Sequence, residues 1–225
     1  MNMMMPRIAE PERMTEEEEI FYAKADYSAP HEALAREIAS TVGTGAKWAI
    51  DIGCGPGDVL LRLRKLAPDW VLFGADISAR MLSLASEDQE QRLTADETPV
   101  NWLLGNGKDL ALPDTLFDVA ISNSVLHHVA DPVAFWKQIR RITKSGAHVF
   151  VRDLRRPDSE AEAQAIIDRN IPNESEVVRT HYFSSLLSSY TVAEVRAQLQ
   201  EANLSSLEVI ELADRYLSVQ GKVVK

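Results

Sequence analysis

The sequence predicts an α/β fold with a doubly wound, mostly parallel sheet covered by helices on both faces. Short apolar runs alternate five times with helix-like stretches, and this alternation is typical of parallel sheets. Several of the apolar runs end at Gly or Asp, as is typical of buried parallel strands. Because right-handed crossovers bring the carboxyl ends of such strands to one edge, a ligand site is expected outside that edge.

The composition agrees with one globular domain. Of 225 residues 45% are hydrophobic, and 34 acidic against 24 basic side chains give a net charge of −10. This acidity argues against broad binding to nucleic acid or to an anionic membrane, since phosphate affinity comes mainly from Lys and Arg. A single cysteine, no signal peptide and no apolar run of roughly 18 residues predict a cytoplasmic protein without a membrane span.

The first half of the chain predicts three strands with their helices. Leu34, Ile38 and Val42 recur at helical spacing, and Gly43 is a stop signal for that helix. Ser78 is a candidate N-cap for a later helix. The predicted strands cover 48–53, 70–76 and 100–105, and the predicted helices cover 31–42, 58–67 and 79–93.

The second half predicts two more parallel strands and an antiparallel C-terminal edge, which completes a Rossmann-like, three-layer αβα arrangement. Asp131 and Pro132 are typical of a helix start, and that helix should end near Gly146. Thr191 and Glu194 have the spacing of a capping box. The predicted strands cover 117–122, 147–153, 207–212 and 215–221, and the predicted helices cover 133–143, 161–170 and 192–202.

Two segments depart from the alternation. Residues 1–30 are predicted to form an N-terminal arm, either a surface helix or a flap that closes over a site. Residues 31–225 then form a single domain with an insertion at about 154–190, which is too long for a plain loop and is expected to be a lid or substrate wall. The aromatic residues of the arm are Phe21, Tyr22 and Tyr27.

The most informative stretch is the glycine-rich turn from Asp51 to Asp58, which follows a predicted strand and opens a predicted helix. Its glycines are spaced G-x-G-x-G, whereas the dinucleotide-binding fingerprint is G-x-G-x-x-G. Asp58 stands where the last glycine would be, and a carboxylate there would repel a pyrophosphate. The turn therefore predicts a ligand with cationic groups and little phosphate, and S-adenosylmethionine has that chemistry.

The stretch AIDIGCGPGDVLL resembles the class I S-adenosylmethionine-dependent methyltransferases, of the small-molecule type related to quinone-biosynthesis methylases. The resemblance covers about residues 45–153. It implies that S-adenosylmethionine is the cofactor, that Asp76 binds both ribose hydroxyls and that the backbone of residues 122–124 lines the methionine end. The implied cofactor contacts are Asp51, Gly53, Cys54, Gly55, Gly57, Asp76, Ile77, Met81, Gly105, Asn106, Gly107 and Asn123.

Some of these residues have a purely structural alternative. In this alternative Asp51 and Asp76 do no more than cap turns, and Cys54 is a small filler residue. Met81 follows a helical stripe that predicts core packing. The family often has an acid after the third strand for the adenine amino group, where this chain has Asn106. Asp109 is a nearby alternative for that contact.

Methyl transfer from a sulfonium is an in-line displacement, for which the protein mostly supplies alignment and exclusion of water. His127 and His128, just past the fourth strand, are the catalytic candidates because an imidazole suits proton transfer at neutral pH. The alternative is that the pair caps a turn or packs under the cofactor. Adjacent residues should point their rings apart, so no metal site is predicted.

The acceptor side is predicted from three groups of residues. Arg152, Arg155 and Arg156 follow the fifth strand and could hold an anionic substrate group, because Arg binds carboxylate or phosphate bidentately. The alternative is that they pair with Asp153 and Asp158. The remaining candidate substrate contacts are Tyr182 of the insertion and Tyr22 and Tyr27 of the arm.

These observations favour a methyltransferase for a small-molecule acceptor. Three alternatives stay open: a methyltransferase that modifies tRNA, a binding protein without turnover, and a nicotinamide-dependent oxidoreductase, which the glycine spacing disfavours. The sequence leaves open the acceptor, the atom that is methylated and the oligomeric state.

Overall fold

The computed structural model describes residues 6–16, 19, 22 and 26–225. Phe21, which the sequence places in the aromatic patch of the arm, lies outside the described residues. None of the helices in the described part of the chain combines the length and apolar character that crossing a bilayer requires.

The described residues contain a seven-stranded sheet in the order β3-β2-β1-β4-β5-β7-β6. β1 to β5 are parallel, and β7 runs antiparallel to both of its neighbours. This confirms the predicted doubly wound sheet with an antiparallel C-terminal strand. The bounds are β1 Trp48–Ile52, β2 Val71–Asp76, β3 Asn101–Leu104, β4 Phe117–Asn123, β5 Thr143–Leu154, β6 Glu208–Leu212 and β7 Tyr216–Lys222.

Helices cover both faces of the sheet. Alternate residues of β1 face opposite sides, so that Ala49 packs with α1 and α2, whereas Ile50 packs with α4 and α7. The core is therefore divided by the sheet into two apolar layers, as the predicted αβα arrangement requires. The helices are α1 Ser28–Val42, α2 Asp58–Leu66, α3 Ala79–Arg92, α4 Pro132–Ile142, α5 Glu160–Asn170, α6 Glu176–Ser188 and α7 Val192–Glu201, with a 3₁₀ turn at Leu126–His128.

The predicted caps are confirmed. Ser78 accepts a hydrogen bond from the backbone N–H of Met81 over 3.2 Å and begins α3. Asp131 caps α4 by accepting from the N–H of Ala134. Thr191 and Glu194 form the reciprocal capping box of α7.

The start of β5 differs most from the prediction, and the insertion contains one helix more than predicted. α4 ends at Ile142, and β5 begins at once with Thr143 instead of after Gly146. The β-branched Thr143 is buried and pairs with Phe117 at the start of β4, while Gly146 adopts a left-handed φ of 83° beside a shift in the β4–β5 register. Gly146 is thus a bulge residue within a longer strand. The insertion contains not only the predicted α5 but also α6, whose many serines and β-branched residues disfavour a helix.

Asp58 joins the three helices on one face of the sheet. Its carboxylate accepts hydrogen bonds from Arg62 of α2 (2.8 Å) and Arg92 of α3 (2.6 Å), and its Oδ2 lies 2.9 Å from Nδ1 of His31 in α1. Burial opposes ionisation, but these three contacts hold the pKa of Asp58 well below its usual range. Asp58 therefore stabilises the helix layer. The sequence suggested instead that its carboxylate faces the ligand turn as a free charge.

Replacing Asp58 by Asn should destabilise the fold by about 2 kcal/mol at pH 7, because two guanidinium groups lose their charged acceptor. A lowered folded-state pKa contributes stability above the unfolded pKa, so the difference from wild type should shrink as the pH falls below about 4. Urea denaturation at pH 7 and pH 3.5 measures it. The exposed Asp69→Asn is the matched control, and an equal effect of both variants would contradict the role of Asp58.

Candidate active site

A cavity of about 400 Å³ lies at the carboxyl edge of the parallel strands. It is bounded by the turns after β1, β2, β3 and β4, by residues of α6 and by the described residues of the arm. This is the position at which doubly wound sheets bind their ligands. The predicted site residues that line it are Tyr22, Tyr27, Gly53, Gly55, Asp76, Ile77, Gly105, Asn106, Gly107, Asn123, His127, His128 and Tyr182.

The glycine turn leaves its backbone open to the cavity. Gly53 has a φ of 75°, and a Cβ there would lie 2.3 Å from a methyl group of Val125, so only glycine fits. At Gly55 a Cβ would meet nothing closer than the ring of Tyr22 at 3.7 Å. The turn therefore presents bare backbone to a bound molecule, as close approach of a ligand requires.

Asp76, at the end of β2, lines the cavity beside this turn. Its two carboxylate oxygens accept hydrogen bonds from the N–H groups of Gly55 (2.9 Å) and Ser78 (2.8 Å). Each oxygen keeps a further lone pair for a ligand hydroxyl. Burial raises the pKa of Asp76, and the negative charge of Glu19 adds to this effect.

Asp51 lies beneath the turn, at 2% exposure, and does not line the cavity itself. Its Oδ1 has no hydrogen-bond partner among the described residues. Burial first, and then the charge of Asp76, raise the pKa of Asp51 to about 7. The buried carboxyl of Asp51 and the part-buried carboxylate of Asp76, with little compensating positive charge, favour a cation at this end of the cavity.

Three other predicted cofactor residues also lie outside the cavity lining. The Cys54 thiol is buried, and its Sγ–H donates to the carbonyl oxygen of Gly55, as a filler residue would. Gly57 is the N-cap of α2, where a Cβ would lie 2.4 Å from Trp102. Met81 is fully buried, which agrees with the core alternative for that residue.

His127 and His128 form the opposite side of the cavity. The 3₁₀ turn brings their ring centroids to 4.1 Å with a tilt of 39°, so the expectation that the rings point apart is wrong. Nδ1 of His127 lies 2.6 Å from Oδ1 of Asp153, and Oδ2 of Asp153 accepts from the N–H of Leu126 at 2.5 Å. Burial disfavours the imidazolium, but the charge and the hydrogen bond of Asp153 outweigh it and raise the pKa of His127.

The three arginines do not form one anion site. None of them lines the cavity. They pair with acids on separate elements, since Arg152 lies within β5 whereas Arg155 and Arg156 follow its end. Neither of the acids expected from the sequence, Asp153 and Asp158, is their ion-pair partner. The partners are Glu37 for Arg152 at 2.6 Å, Glu162 for Arg155 at 3.7 Å and Glu194 for Arg156 at 2.5 Å.

The arm contributes cavity residues that the sequence analysis missed. Arg7 donates to the carbonyl oxygens of His127 (2.8 Å) and Ser188 (2.5 Å), and its guanidinium lies 4.2 Å from the ring centre of Tyr190. Glu12 accepts from Lys108 and from the N–H of Ala130. These contacts bind the arm across the cavity, and no local sequence signal identifies them.

Helix α6 supplies a mainly apolar wall. Val177, Val178 and Tyr182 line the cavity together with His181 and Ser185. The placement of Tyr182 agrees with the expected wall role of the insertion. Ile171, Leu154 and Tyr216 extend the apolar surface. A molecule in this part of the cavity would contact hydrocarbon on one side and the imidazoles on the other.

Comparisons with known proteins agree with this geometry. Residues 50–151 match the family model described as a methyltransferase domain. A 2-phytyl-1,4-naphtoquinone methyltransferase of Synechococcus elongatus is 32% identical over 111 residues, which cover 49% of this chain and 47% of that protein. The chain thus spans less than half the length of the curated relatives it matches first.

Solved structures show the same fold at low sequence identity. A SAM-dependent methyltransferase from Aquifex aeolicus superposes with a TM-score of 0.67 at 16% identity, over 92% of this chain and 98% of that one. The plantazolicin methyltransferase, solved with a desmethyl analogue and SAH, superposes with a TM-score of 0.73 at 13% identity, over 93% of this chain and 91% of that one.

Replacing Asp51 by Asn should stabilise the purified chain at pH 8 more than at pH 5. Because the pKa of Asp51 is raised to about 7, the folded state keeps a proton that the unfolded state loses near pH 4, so the stability falls as the pH rises from about 4 to about 7 and then levels off. The asparagine is not ionised, so the gain relative to wild type should grow by on the order of 2 kcal/mol between the two pH values. Chemical denaturation measures this difference, and a gain independent of pH would contradict the assignment.

Proposed function

We propose that this chain transfers a methyl group from S-adenosylmethionine to a small-molecule acceptor, since residues 50–151 match a family model described as a methyltransferase domain. One observation carries the proposal. A single cavity joins an acidic glycine turn, suited to a cationic nucleoside, to an apolar wall with two imidazoles. Both reactants of a methyl transfer therefore have a place in the same enclosed space.

The residues at the turn fit this cofactor. The unpartnered Oδ1 of Asp51 and the raised pKa values of Asp51 and Asp76 favour a cationic ligand over a pyrophosphate. Asp76 would hold the ribose hydroxyls, the backbone at Gly53 and Gly55 would hold the methionine end, and the turn at Asn106 would hold the adenine. When bound, S-adenosylmethionine supplies a methyl group on a positively charged sulfur that leaves as a neutral thioether.

The chain itself would position the two reactants and exclude water from them. The arm, anchored by Arg7 and Glu12, covers the cavity from one side, and α6 closes it from another. We propose that residues 1–30 act as this cover and that the insertion at 154–190 is the substrate wall of the single domain that follows. Holding two reactants aligned and free of water lowers the barrier of an in-line displacement.

The acceptor is proposed to have an apolar, ring-like body. Val178, Tyr182, Tyr22 and Tyr27 would contact that body, and aromatic side chains prefer flat or apolar partners. The naphthoquinone named for the Synechococcus elongatus relative is a molecule of this kind. The His127–His128 pair would contact the nucleophilic atom. No anionic group is required of the acceptor, because the three arginines lie elsewhere.

The size of the site supports a small acceptor. A cavity of about 400 Å³ lies near the lower end of the range for small-molecule sites. A tRNA substrate would need an open basic surface around the site. Here the arm crosses the cavity, and the basic residue Lys108 is already paired with Glu12 of the arm. The single, buried Cys54 agrees with a reducing compartment, and we propose the cytoplasm.

A host-cell extract incubated with the chain and S-adenosylmethionine carrying a labelled methyl group should yield a labelled small molecule, identified by mass spectrometry. The Asp76→Asn variant should bind the cofactor roughly 10- to 100-fold more weakly in calorimetry, because a charged hydrogen-bond acceptor is lost. Asp69→Asn should bind as wild type does. Cofactor binding without transfer to any component would show a binding protein, and label confined to RNA would show the tRNA alternative.

Tyr182→Ala should raise the KM for the identified acceptor about tenfold and leave the Kd of S-adenosylmethionine unchanged, because Tyr182 belongs to the acceptor wall. Steady-state kinetics and calorimetry on the same preparation separate the two effects. Phe183→Ala, in the same helix but outside the cavity lining, is the control. An equally large change in the Kd of S-adenosylmethionine would contradict the division of the cavity into a cofactor end and an acceptor end.

A further inference from the structure

We propose that Glu10, His127 and His128 form a binding site for a divalent transition-metal ion of the zinc type at the acceptor end of the cavity. One ligand atom from each of these three residues lies within 4.8 Å of the other two. It is the one group of this kind found among the described residues. No sequence motif indicates it, because Glu10 is separated from the histidines by more than half the chain.

One of the three distances between ligand atoms is already close to that of a zinc site. Oε2 of Glu10 lies 3.5 Å from Nδ1 of His128. Zinc bonds of about 2.0–2.1 Å in a tetrahedral arrangement place the ligand atoms about 3.3 Å apart. His128 Nδ1–H donates to the carbonyl oxygen of Pro11 over 3.3 Å, and ligation by Nδ1 would move that proton to Nε2 of the neutral ring.

His127 is oriented as metal-ligating histidines are. Its Nδ1 contacts the carboxylate of Asp153 at 2.6 Å, which leaves Nε2 as the atom available for a ligand. Asp153 is itself fixed, because its two oxygens accept from the N–H groups of Leu126 and Leu154. A carboxylate that holds the second nitrogen of a ligating imidazole is the usual arrangement around zinc.

Glu10 is held against the histidines by the residues on either side of it. Arg7 donates to the carbonyl of His127 itself (2.8 Å), and Glu12 accepts from the N–H of Ala130 (2.9 Å). The Glu10 carboxylate also accepts from the hydroxyl of Ser185 at 3.2 Å. Both anchors of the arm thus attach to the segment that carries the imidazoles, so the third ligand is placed before any ion binds.

The donor set indicates the metal and its use. Two imidazoles and one carboxylate are typical of catalytic zinc sites, which keep a fourth position open for water or substrate. Glu10, His127 and His128 all line the cavity, so that position would face the acceptor. There the ion would bind a hydroxyl or thiol of the acceptor, whose proton passes to solvent water and leaves an oxygen or sulfur anion as the nucleophile. This use rests on the proposed methyl transfer, whereas the ion site itself does not.

The test is direct zinc binding. The full chain, treated with a chelator and dialysed, is titrated with Zn²⁺ by calorimetry and its metal content is measured by mass spectrometry. Wild type should bind one ion per chain with micromolar or tighter affinity, and Glu10→Gln and His128→Asn should each weaken binding at least about 100-fold. Asp153→Asn should weaken it about 10- to 100-fold, as the loss of a carboxylate behind a ligating imidazole does. Co²⁺ in place of Zn²⁺ should give the visible absorption of a four-coordinate site, and Glu10→Gln should abolish it.

Matched variants separate a site from general affinity of the chain for zinc. Glu16→Gln changes an exposed carboxylate of the same arm that pairs with Arg80, and His148→Asn removes a histidine within β5, and both residues lie outside the cavity lining. Both should bind zinc as wild type does, and thermal unfolding should show that all variants remain folded. Equal zinc binding by Glu10→Gln, His128→Asn and wild type, or no binding by wild type below millimolar zinc, would overturn the proposal.

The same samples distinguish this failure from a failure of the proposed function. S-adenosylmethionine binding is measured by calorimetry before and after removal of zinc. A chain that binds the cofactor and transfers methyl groups equally well with and without zinc would retain the proposed function and lose the metal site. A chain that binds zinc at the three residues but not the cofactor would retain the metal site and lose the proposed function.

Discussion

Two carboxyl groups at the ends of neighbouring parallel strands, one buried and one lining the cavity, are the constraint on which the site depends. Asp51 and Asp76 come close because β1 and β2 are adjacent in the sheet, with Asp51 in register with Gly74. The pKa of each is raised mainly by burial, and Asp51 has an oxygen without a partner. The fold loses stability at neutral pH because these two carboxyl groups are largely shielded from water. A ligand that supplies the missing positive charge would restore that stability.

The arm connects this acidic end of the cavity to the far side. Arg7 and Glu12 attach to the backbone of the segment from His127 to Ala130, and Tyr22 lies over the glycine turn at Gly55. The described arm residues thus contact both the cofactor end of the cavity and the segment that carries the imidazoles, which is the arrangement expected where water must be excluded from both reactants.

The parts of the molecule that could be predicted from sequence are those determined by neighbours along the chain. Strand ends, the caps at Ser78 and Asp131 and the turn around Gly53 follow from local pattern. The rest depends on residues far apart: Arg152 pairs with Glu37, 115 positions away, and Asp58 joins three helices instead of facing the ligand. The arm contacts could not be predicted for the same reason, since nothing in the surroundings of Glu10 indicates histidines.

Charge balance decides whether a metal ion can share a cavity with a cationic cofactor. A dication at the His127–His128 pair would repel a sulfonium in a medium of low dielectric constant. Here the carboxylates of Glu10 and Asp153 carry two negative charges at the same place, 3.5 Å from one imidazole and 2.6 Å from the other. The guanidinium of Arg7, which donates to the carbonyl oxygen of His127, adds one positive charge. Ion, carboxylates, neutral rings and Arg7 then sum to a single positive charge, and an ionised acceptor bound to the ion makes that end neutral. Repulsion of the sulfonium would thus be removed when the acceptor is ready to take the methyl group.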